Sequence, residues 1–503
     1  MDLETLLSYR WSAMTPEFII LGVVAVLSLL DLFLPRSFNR KLLGWLSFAS
    51  IIAALITVFT LIGDTPVSIL YDTFRLDSFA IAFKILLLIG AALAMLLAIS
   101  YEPEEKLEEY RGEFYYLFLT ALLGVMVMSS SGDLITLFVG LELLSISSYI
   151  LVGMRKNHLP SNESAMKYVI NGAIATAITL FGMSYVYGIS GTTNIKEMAA
   201  TLGAIDQQQH LFLLALAFLM IVVGLAFKIS AAPFHMWAPD VYEGAPLPVT
   251  AFLSVVSKTA GFIIIIRIFI GVFFQVPDLT GNNSLILSLQ NYLAVIAGAT
   301  MLIGNIVALR QSNIKRMLAY SSIAHAGYLL VAVTAFSPFM IETLWFYLGA
   351  YLFMTLGVFA IIQVAAWKAK KVQINEFAGL YRSSPFLAVS LAILFLSLAG
   401  IPGTSGFIGK LNIFMGALST EPTHYILASL LIATTVISYI YYFRVLAAVF
   451  FRQPQQETKI SFSPPAVIVI SLCVAVTVIL GVFPNIAFDF LHGNFLSFND
   501  FIQ

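Results

Sequence analysis

Cysteine is almost missing from this 503-residue chain: Cys473 stands alone, which excludes an internal disulfide. Neither a CxxC pair nor an HxxxH-type cluster occurs, which argues against an iron–sulfur, haem or zinc centre held by the chain's own residues. Charge is scarce as well. Asp, Glu, Lys and Arg make up 11% of residues, under half of the ~25% found in soluble domains. Hydrophobic residues make up 60%. A soluble protein of this length must cover its surface with polar side chains, and this one lacks them. The 26 basic and 27 acidic residues nearly cancel, for a net charge of −1, so no nucleic-acid partner is expected. No cleavable leader is expected either, because Asp2, Glu4 and Arg10 interrupt the stretch before the first apolar run.

What remains is long apolar runs. A helix needs about 20 apolar residues to cross the hydrocarbon core. Such runs lie near 18–34, 42–62, 76–100, 114–131, 134–153, 166–189, 211–238, 249–274, 286–309, 317–336, 340–367, 385–416, 425–450 and 465–488. The expectation is an all-α membrane protein of about fourteen spans; a β-barrel would show short alternating segments instead. Seventeen of the lysines and arginines fall in one set of alternate loops, among them Arg36, Arg40, Lys106, Arg155, Arg310, Lys368, Lys370, Lys371, Arg452 and Lys459. Only Arg10, Arg75 and Lys196 fall on the opposite side. Basic loops stay inside, so both termini are expected outside a plasma membrane. The acidic loop EPEEKLEEYRGE (102–113) reads as a solvated segment.

Charge inside a bilayer costs at least ~2.5–3.5 kcal/mol at the centre, so each case needs a reason. Arg267 and Arg444 lie near span ends and read as snorkelling or lipid contacts. Asp31 reads as interfacial, and Lys84 is intermediate. Glu142, Lys228, Lys258 and Lys410 are too deep for that, and one acid cannot neutralise three lysines. They point to a proton or ion path. His235, just after a proline, and His325, mid-span, are candidate relays because imidazole titrates near neutrality.

Two spans also carry breaks. Pro233 lacks an N–H, which frees the carbonyl of Ile229 beside Lys228, and Pro402 does the same to Leu398 while Gly403 and its neighbouring glycines loosen the turn. Open backbone at membrane depth is tolerated only where protein or a water-filled cavity satisfies it. Spans 4–8 and 9–13 form two units of five, necessarily inverted relative to one another, and the broken span is fourth in each. Interrupted helices in matching positions of inverted repeats point to a transporter's ion site. The expected organisation is a three-span region at 1–113, repeats at 114–274 and 275–450, and a final span and tail at 451–503.

The stretch GLAFKISAAPFHMWAPDVYEGAPLPVTAFLSVVSKTAGF (224–262) is followed in order by NIKRMLAYSSIAHAGY and GIPGTSGFIGK, and preceded by SGDLITLFVGLELLSISSYIL. Together they resemble the N-type membrane subunits of bacterial NADH–quinone oxidoreductase, respiratory complex I. PDVYEGAPLPVTAF fits that type better than the related M or D-type pattern. Lysine at position 410 speaks against the M type, and the short stretch after span 14 against the long lateral helix of the L type. The resemblance implies a proton-translocating channel with no cofactor of its own. NADH, FMN, iron–sulfur clusters and quinone would belong to partner subunits. Its partners would be other membrane subunits, further antiporter-like ones included, the peripheral redox arm and membrane lipids. It also implies roles: Glu142 and Lys228 as a modulating pair, Lys258 as the central relay, Lys410 facing the outer exit, and His235 and His325 bridging through ordered water. Mrp-type sodium/proton antiporter subunits share this plan and are the alternative.

Overall fold

The computed structural model describes residues 3–502 apart from 36–37, 102–110, 206, 282, 366–371, 454–461 and 496–497. Most of the acidic loop therefore lies outside the described residues, as do Arg36, Lys106, Lys368, Lys370, Lys371 and Lys459. Among the described residues, thirteen helices are long and apolar enough to cross a membrane. Spans 1–6 are Trp11–Phe33, Lys41–Thr60, Ser78–Ser100, Arg111–Ser129, Leu134–Val152 and Leu159–Ser190. Span 7 is Gln208–Lys228, continued after a break by Trp237–Gly244. Spans 8–11 are Leu247–Phe273, Leu285–Ala308, Ile314–Ala335 and Met340–Ala365, and spans 13 and 14 are Tyr425–Phe451 and Pro464–Val482. The remaining expected span, span 12, is two pieces, Pro385–Ala399 and Ser405–Leu418, each too short to cross alone. A small antiparallel hairpin, β1 (Val67–Ile69) with β2 (Phe74–Leu76), interrupts the all-helical plan.

Side-chain caps begin several spans. Asp77 accepts from the N–H of Ala80 at 2.7 Å, Asp133 from that of Ile135 at 2.8 Å, and Asn313 from that of Lys315 at 2.9 Å. Each satisfies N–H groups that a helix start leaves open. Between spans, small residues set the approach. A Cβ on Gly124 would lie 2.7 Å from the carbonyl oxygen of Gly140, and one on Gly304 would lie 2.5 Å from the nitrogen of Ala324. Spans 4 and 5, and likewise 9 and 10, thus pack backbone against backbone. Spans 3, 8, 10 and 11 are buried over 94–100% of their most apolar stretch, whereas spans 1, 2, 6, 9, 13 and 14 are buried over 22–39%. The first group forms the interior of the bundle and the second its outer wall.

The expectation of snorkelling is corrected. Arg267 does not snorkel. It is buried, and its Nη2 reaches both oxygens of Asp77 at 2.9 and 3.1 Å while its Nε donates to the Ser129 carbonyl at 2.8 Å. A π-turn at Phe269–Phe273 follows it, and the guanidinium lies 5.1 and 5.3 Å from the ring centres of Phe79 and Phe501. Asp500 completes this corner: its carboxylate accepts from the Ser78 N–H at 2.7 Å, and its carbonyl accepts from Arg75 at 2.7 Å. Lys84 is answered by Glu17, 2.5 Å away and equally buried. Glu17 lies just ahead of the apolar run expected for span 1, but the helix starts earlier and carries it inside. Asp31 pairs with Arg40 at 2.8 Å where spans 1 and 2 meet. Arg444 does not snorkel either: it lies seven residues before the end of the span 13 helix (Tyr425–Phe451), and its guanidinium donates to the Leu309 carbonyl at 2.7 Å and to that of Gln311.

Removing one partner of a buried pair strands the other, at a cost of about 3–5 kcal/mol. Arg267→Met should therefore lower the melting temperature of the detergent-solubilised protein sharply. Adding Asp77→Asn, which keeps the cap and removes the stranded charge, should restore most of the loss. A wild-type melting temperature for the single variant would show that the pair is dispensable.

Candidate functional site

Lys228 is the last helical residue of the first half of span 7. The break starts there, four residues earlier than Pro233 alone requires, so the Ile229 carbonyl is not a vacancy within a helix as the sequence implied. The chain turns through Ser230 at φ +61°, and the Ala232 N–H is held by Thr300 of span 9 at 2.9 Å. The Phe227 carbonyl accepts from the Trp237 indole at 3.0 Å. The Lys228 ammonium donates to the Ser145 hydroxyl of span 5 at 3.0 Å. Glu142 lies one turn earlier on the same helix, is half-buried, and accepts from Thr176 of span 6 at 2.9 Å. Among the described residues no carboxylate lies within 4 Å of Lys228, so Ser145 stands where a direct ion pair would.

Lys258 opens the second α-helical part of span 8, directly after a π-turn at Leu253–Ser257 that follows the first part at Leu247–Phe252. Such turns place a side chain off the regular helical register and recur at functional positions. The Lys258 ammonium donates to both the carbonyl and the hydroxyl of Ser322 on span 10, and the Tyr242 hydroxyl is 3.1 Å from the same Ser322 oxygen. Gly261, one turn on from Lys258, lets span 8 pack closely against the end of the first half of span 7: a Cβ there would sit 2.5 Å from Ile229 and 3.5 Å from the Lys228 stem.

His325 is one turn beyond Ser322. Its Nδ1 is 2.7 Å from the Tyr347 hydroxyl and its Nε2 is 3.4 Å from that of Tyr442, which in turn lies 2.5 Å from the Ser321 hydroxyl. Two rings connect it to the lysines on either side. Its centroid is 5.1 Å from that of Tyr351, over which Lys258 lies at 5.6 Å, and 5.4 Å from that of Tyr328, over which Lys410 lies at 4.8 Å. His325 thus stands between Lys258 and Lys410. His235 lies in the break of span 7, and the described hydrogen bonds join its side chain to none of Lys228, Lys258 and His325.

Lys410 folds back on its own broken span. Its ammonium donates to the carbonyls of Leu398 at 3.0 Å and Ala399 at 3.1 Å, the oxygens left open where the first half ends. Gly400 at φ +85° and Gly403 at φ +87° turn the chain around Pro402, and a Cβ on Gly400 would come 3.0 Å from the lysine stem. Gly409 is needed for a different reason: a Cβ there would lie 2.2 Å from the Tyr347 ring.

Sequence reasoning missed Ser145, Ser322, Tyr242, Tyr328, Tyr347, Tyr351 and Tyr442. Tyrosines four apart on one span (347 and 351) and serines one turn ahead of His325 were the available signals. Contacts connect Lys258, Ser322, His325 and Lys410, with Lys228 and Ser145 as a separate cluster beyond Gly261, and all are groups able to accept and pass on a proton. Among the described residues no group of three or more His, Cys, Asp or Glu could hold a metal ion.

Buried lysines inside a bundle with thirteen long apolar helices and one broken one, among the described residues, are the kind of arrangement found in ion-translocating membrane subunits. Residues 131–438 match the family model described as NADH:quinone oxidoreductase/Mrp antiporter, TM, and the chain belongs to that family. Within it, the chain is 59% identical to NADH-quinone oxidoreductase subunit N of Anoxybacillus flavithermus over 503 residues, covering 100% of both. A chain in the structure of respiratory complex I from Thermus thermophilus with bound Aureothin has a TM-score of 0.78 at 30% identity, over 94% of this chain and 99% of that one. A chain of the Mrp complex from Dietzia sp. DQ12-45-1b has a TM-score of 0.82 at 19% identity, over 98% of each, and shares the fold.

Tyr347→Phe removes the hydroxyl at His325 Nδ1 without changing the packing. In membranes containing the assembled complex it should lower NADH-driven quinone reduction severalfold, and Gly409→Ala, which pushes the ring aside, should act in the same direction. Wild-type rates for both would place Tyr347 outside the path.

Proposed function

We propose that this chain is the N-type proton-translocating subunit of a bacterial NADH:quinone oxidoreductase, a translocase subunit without a redox centre of its own. NADH, FMN, iron–sulfur clusters and quinone are handled by partner subunits. The observation that carries the reading is the set of buried groups Lys228, Lys258, Ser322, His325 and Lys410 in a chain of this family. Identity over the full length to N subunits favours this assignment over an Mrp-type sodium/proton antiporter, to which the likeness is one of fold.

The geometry supports a relay for a physical reason. An ammonium in a dry interior is stabilised by oxygen neighbours, and a nearby carboxylate holds its proton more firmly. Here the neighbours of Lys228, Lys258 and Lys410 are hydroxyls and carbonyls, so releasing a proton leaves no stranded anion. The carboxylate of Glu142, one turn from Ser145, is the group whose approach or withdrawal would bias Lys228. Displacement of that helix by neighbouring subunits would supply the driving event, since ion-pair rearrangement provides energies of the needed size. Spans 4–8 and 9–13 act as the two inverted repeats, within boundaries 114–274 and 275–450, flanked by 1–113 and 451–503. The matched glycine contacts of spans 4 with 5 and 9 with 10 support this division.

Lys410→Met preserves most of the volume and removes an expensive charge, so a merely structural lysine should tolerate it. A relay lysine should give an assembled complex with strongly reduced NADH-driven proton pumping in liposomes. Lys410→Arg should also impair pumping, because a guanidinium seldom releases its proton. Glu142→Gln should lower turnover and pumping together. Normal pumping by Lys410→Met would remove this residue from the path. Co-purification of flavin and iron–sulfur subunits separates the reading from a stand-alone antiporter.

The basic loops face the cytoplasm of a bacterial plasma membrane in this proposal, with both termini outside. Cysteines introduced at Ser190 and Ser419 should then react with an impermeant thiol reagent added to intact cells, while one at Ser383 should not. The reverse pattern would invert the path.

A further inference from the structure

The basic-loop end of the bundle carries a cavity of about 140 Å³ lined by Ser312, Gln373, Ile374, Asn375, Arg444 and Arg452. Among the described residues its lining holds two guanidiniums and no carboxylate. Arg444 uses its Nη atoms on the Leu309 and Gln311 carbonyls, which closes the end of span 9, and its buried Nε has no hydrogen-bond partner. Among the described residues Arg452 makes one hydrogen bond, to the Asn375 side-chain oxygen at 2.7 Å, and it is exposed. Among the described residues neither arginine has an acid within 4 Å. Glu376, next to Asn375 in sequence, does not line the cavity.

A second feature leads to the same place. Val436, Ile440, Phe443 and Phe451 are exposed on span 13, the helix that carries Arg444 and ends next to Arg452. A ligand that fills both has an anionic head of phosphate size and long hydrocarbon chains. Basic pockets between spans at the cytoplasmic side accept such head groups, and guanidinium–phosphate bonds are strong because they are charge-assisted and can be paired. We infer that this cavity binds the phosphate of an anionic glycerophospholipid, with the acyl chains lying along span 13. Arg444 and Arg452 hold the phosphate, while Ser312, Gln373 and Asn375 offer further donors to the head group. The inference requires the bundle to span a bilayer but not to move protons, so either reading can fail without the other.

The test uses the assembled complex in proteoliposomes with a photoreactive phosphatidylglycerol or a phosphatidylcholine carrying the same diazirine acyl chain. Crosslinks are mapped by peptide mass spectrometry. Phosphatidylglycerol should label the 436–452 stretch severalfold more than phosphatidylcholine, and Arg444→Gln with Arg452→Gln should abolish the excess. If the double variant fails to assemble, Arg452→Gln alone should reduce it, since that side chain holds no helix end. Millimolar inorganic phosphate should not compete, because the acyl chains contribute to binding. Equal labelling by the two lipids, an excess unchanged in the variants, or full competition by phosphate would each overturn the proposal, the last by assigning the cavity to a free anion.

Discussion

A positive charge in a dry protein interior has to be surrounded by oxygen, and the kind of oxygen decides what the charge can do. The lysines of this bundle fall into two groups on that basis. Lys84 faces the Glu17 carboxylate, just as Arg267 faces Asp77; these charges are matched and fixed. Lys228, Lys258 and Lys410 face a serine hydroxyl, a serine hydroxyl with its carbonyl, and two main-chain carbonyls. Neutral acceptors tolerate both the ammonium and the amine, so the second group retains a choice that the first has lost.

The backbone supplies only part of these acceptors: Lys228 and Lys258 are met by Ser145 and Ser322 on unbroken helices, whereas Lys410 is met by carbonyls that its own broken span leaves outside the helical ladder. Span 12 breaks so that Leu398 and Ala399 can meet Lys410, span 7 breaks immediately after Lys228, and span 8 carries a π-turn immediately before Lys258. Among the described residues the outer-wall helices, spans 1, 2, 6, 9, 13 and 14, carry no such break or π-turn. Rigidity around the rim and irregularity at the centre are two parts of one arrangement.

The apolar period made the spans legible, and the isolated charges and prolines within them marked Lys228, Lys258, Lys410 and both breaks. The opening of the Leu398 carbonyl followed from the missing N–H of Pro402, although the identity of its new donor did not. What escaped the sequence depended on rotation about helix axes. Arg267 near a span end looks the same whether it turns to lipid or to Asp77, which is 190 residues earlier in the chain. Tyrosines and serines are common enough in apolar spans that Tyr347 and Ser322 carry no mark of their own. The two histidines were equivalent on paper, and only packing set His325 between two lysines and His235 elsewhere. The π-turns have no sequence signature in this chain that apolar periodicity could expose.

The Asp500 contact has a consequence for biosynthesis. Span 3 is made and inserted early, yet its first N–H at Ser78 is capped by a carboxylate 422 residues further along the chain. The ring of Phe501, which covers Arg267, arrives at the same late moment. Until residues 499–502 leave the ribosome, this corner of the bundle has to be kept wet or shielded by the insertion machinery. Its closure therefore waits on a segment made 422 residues after the helix start that it caps.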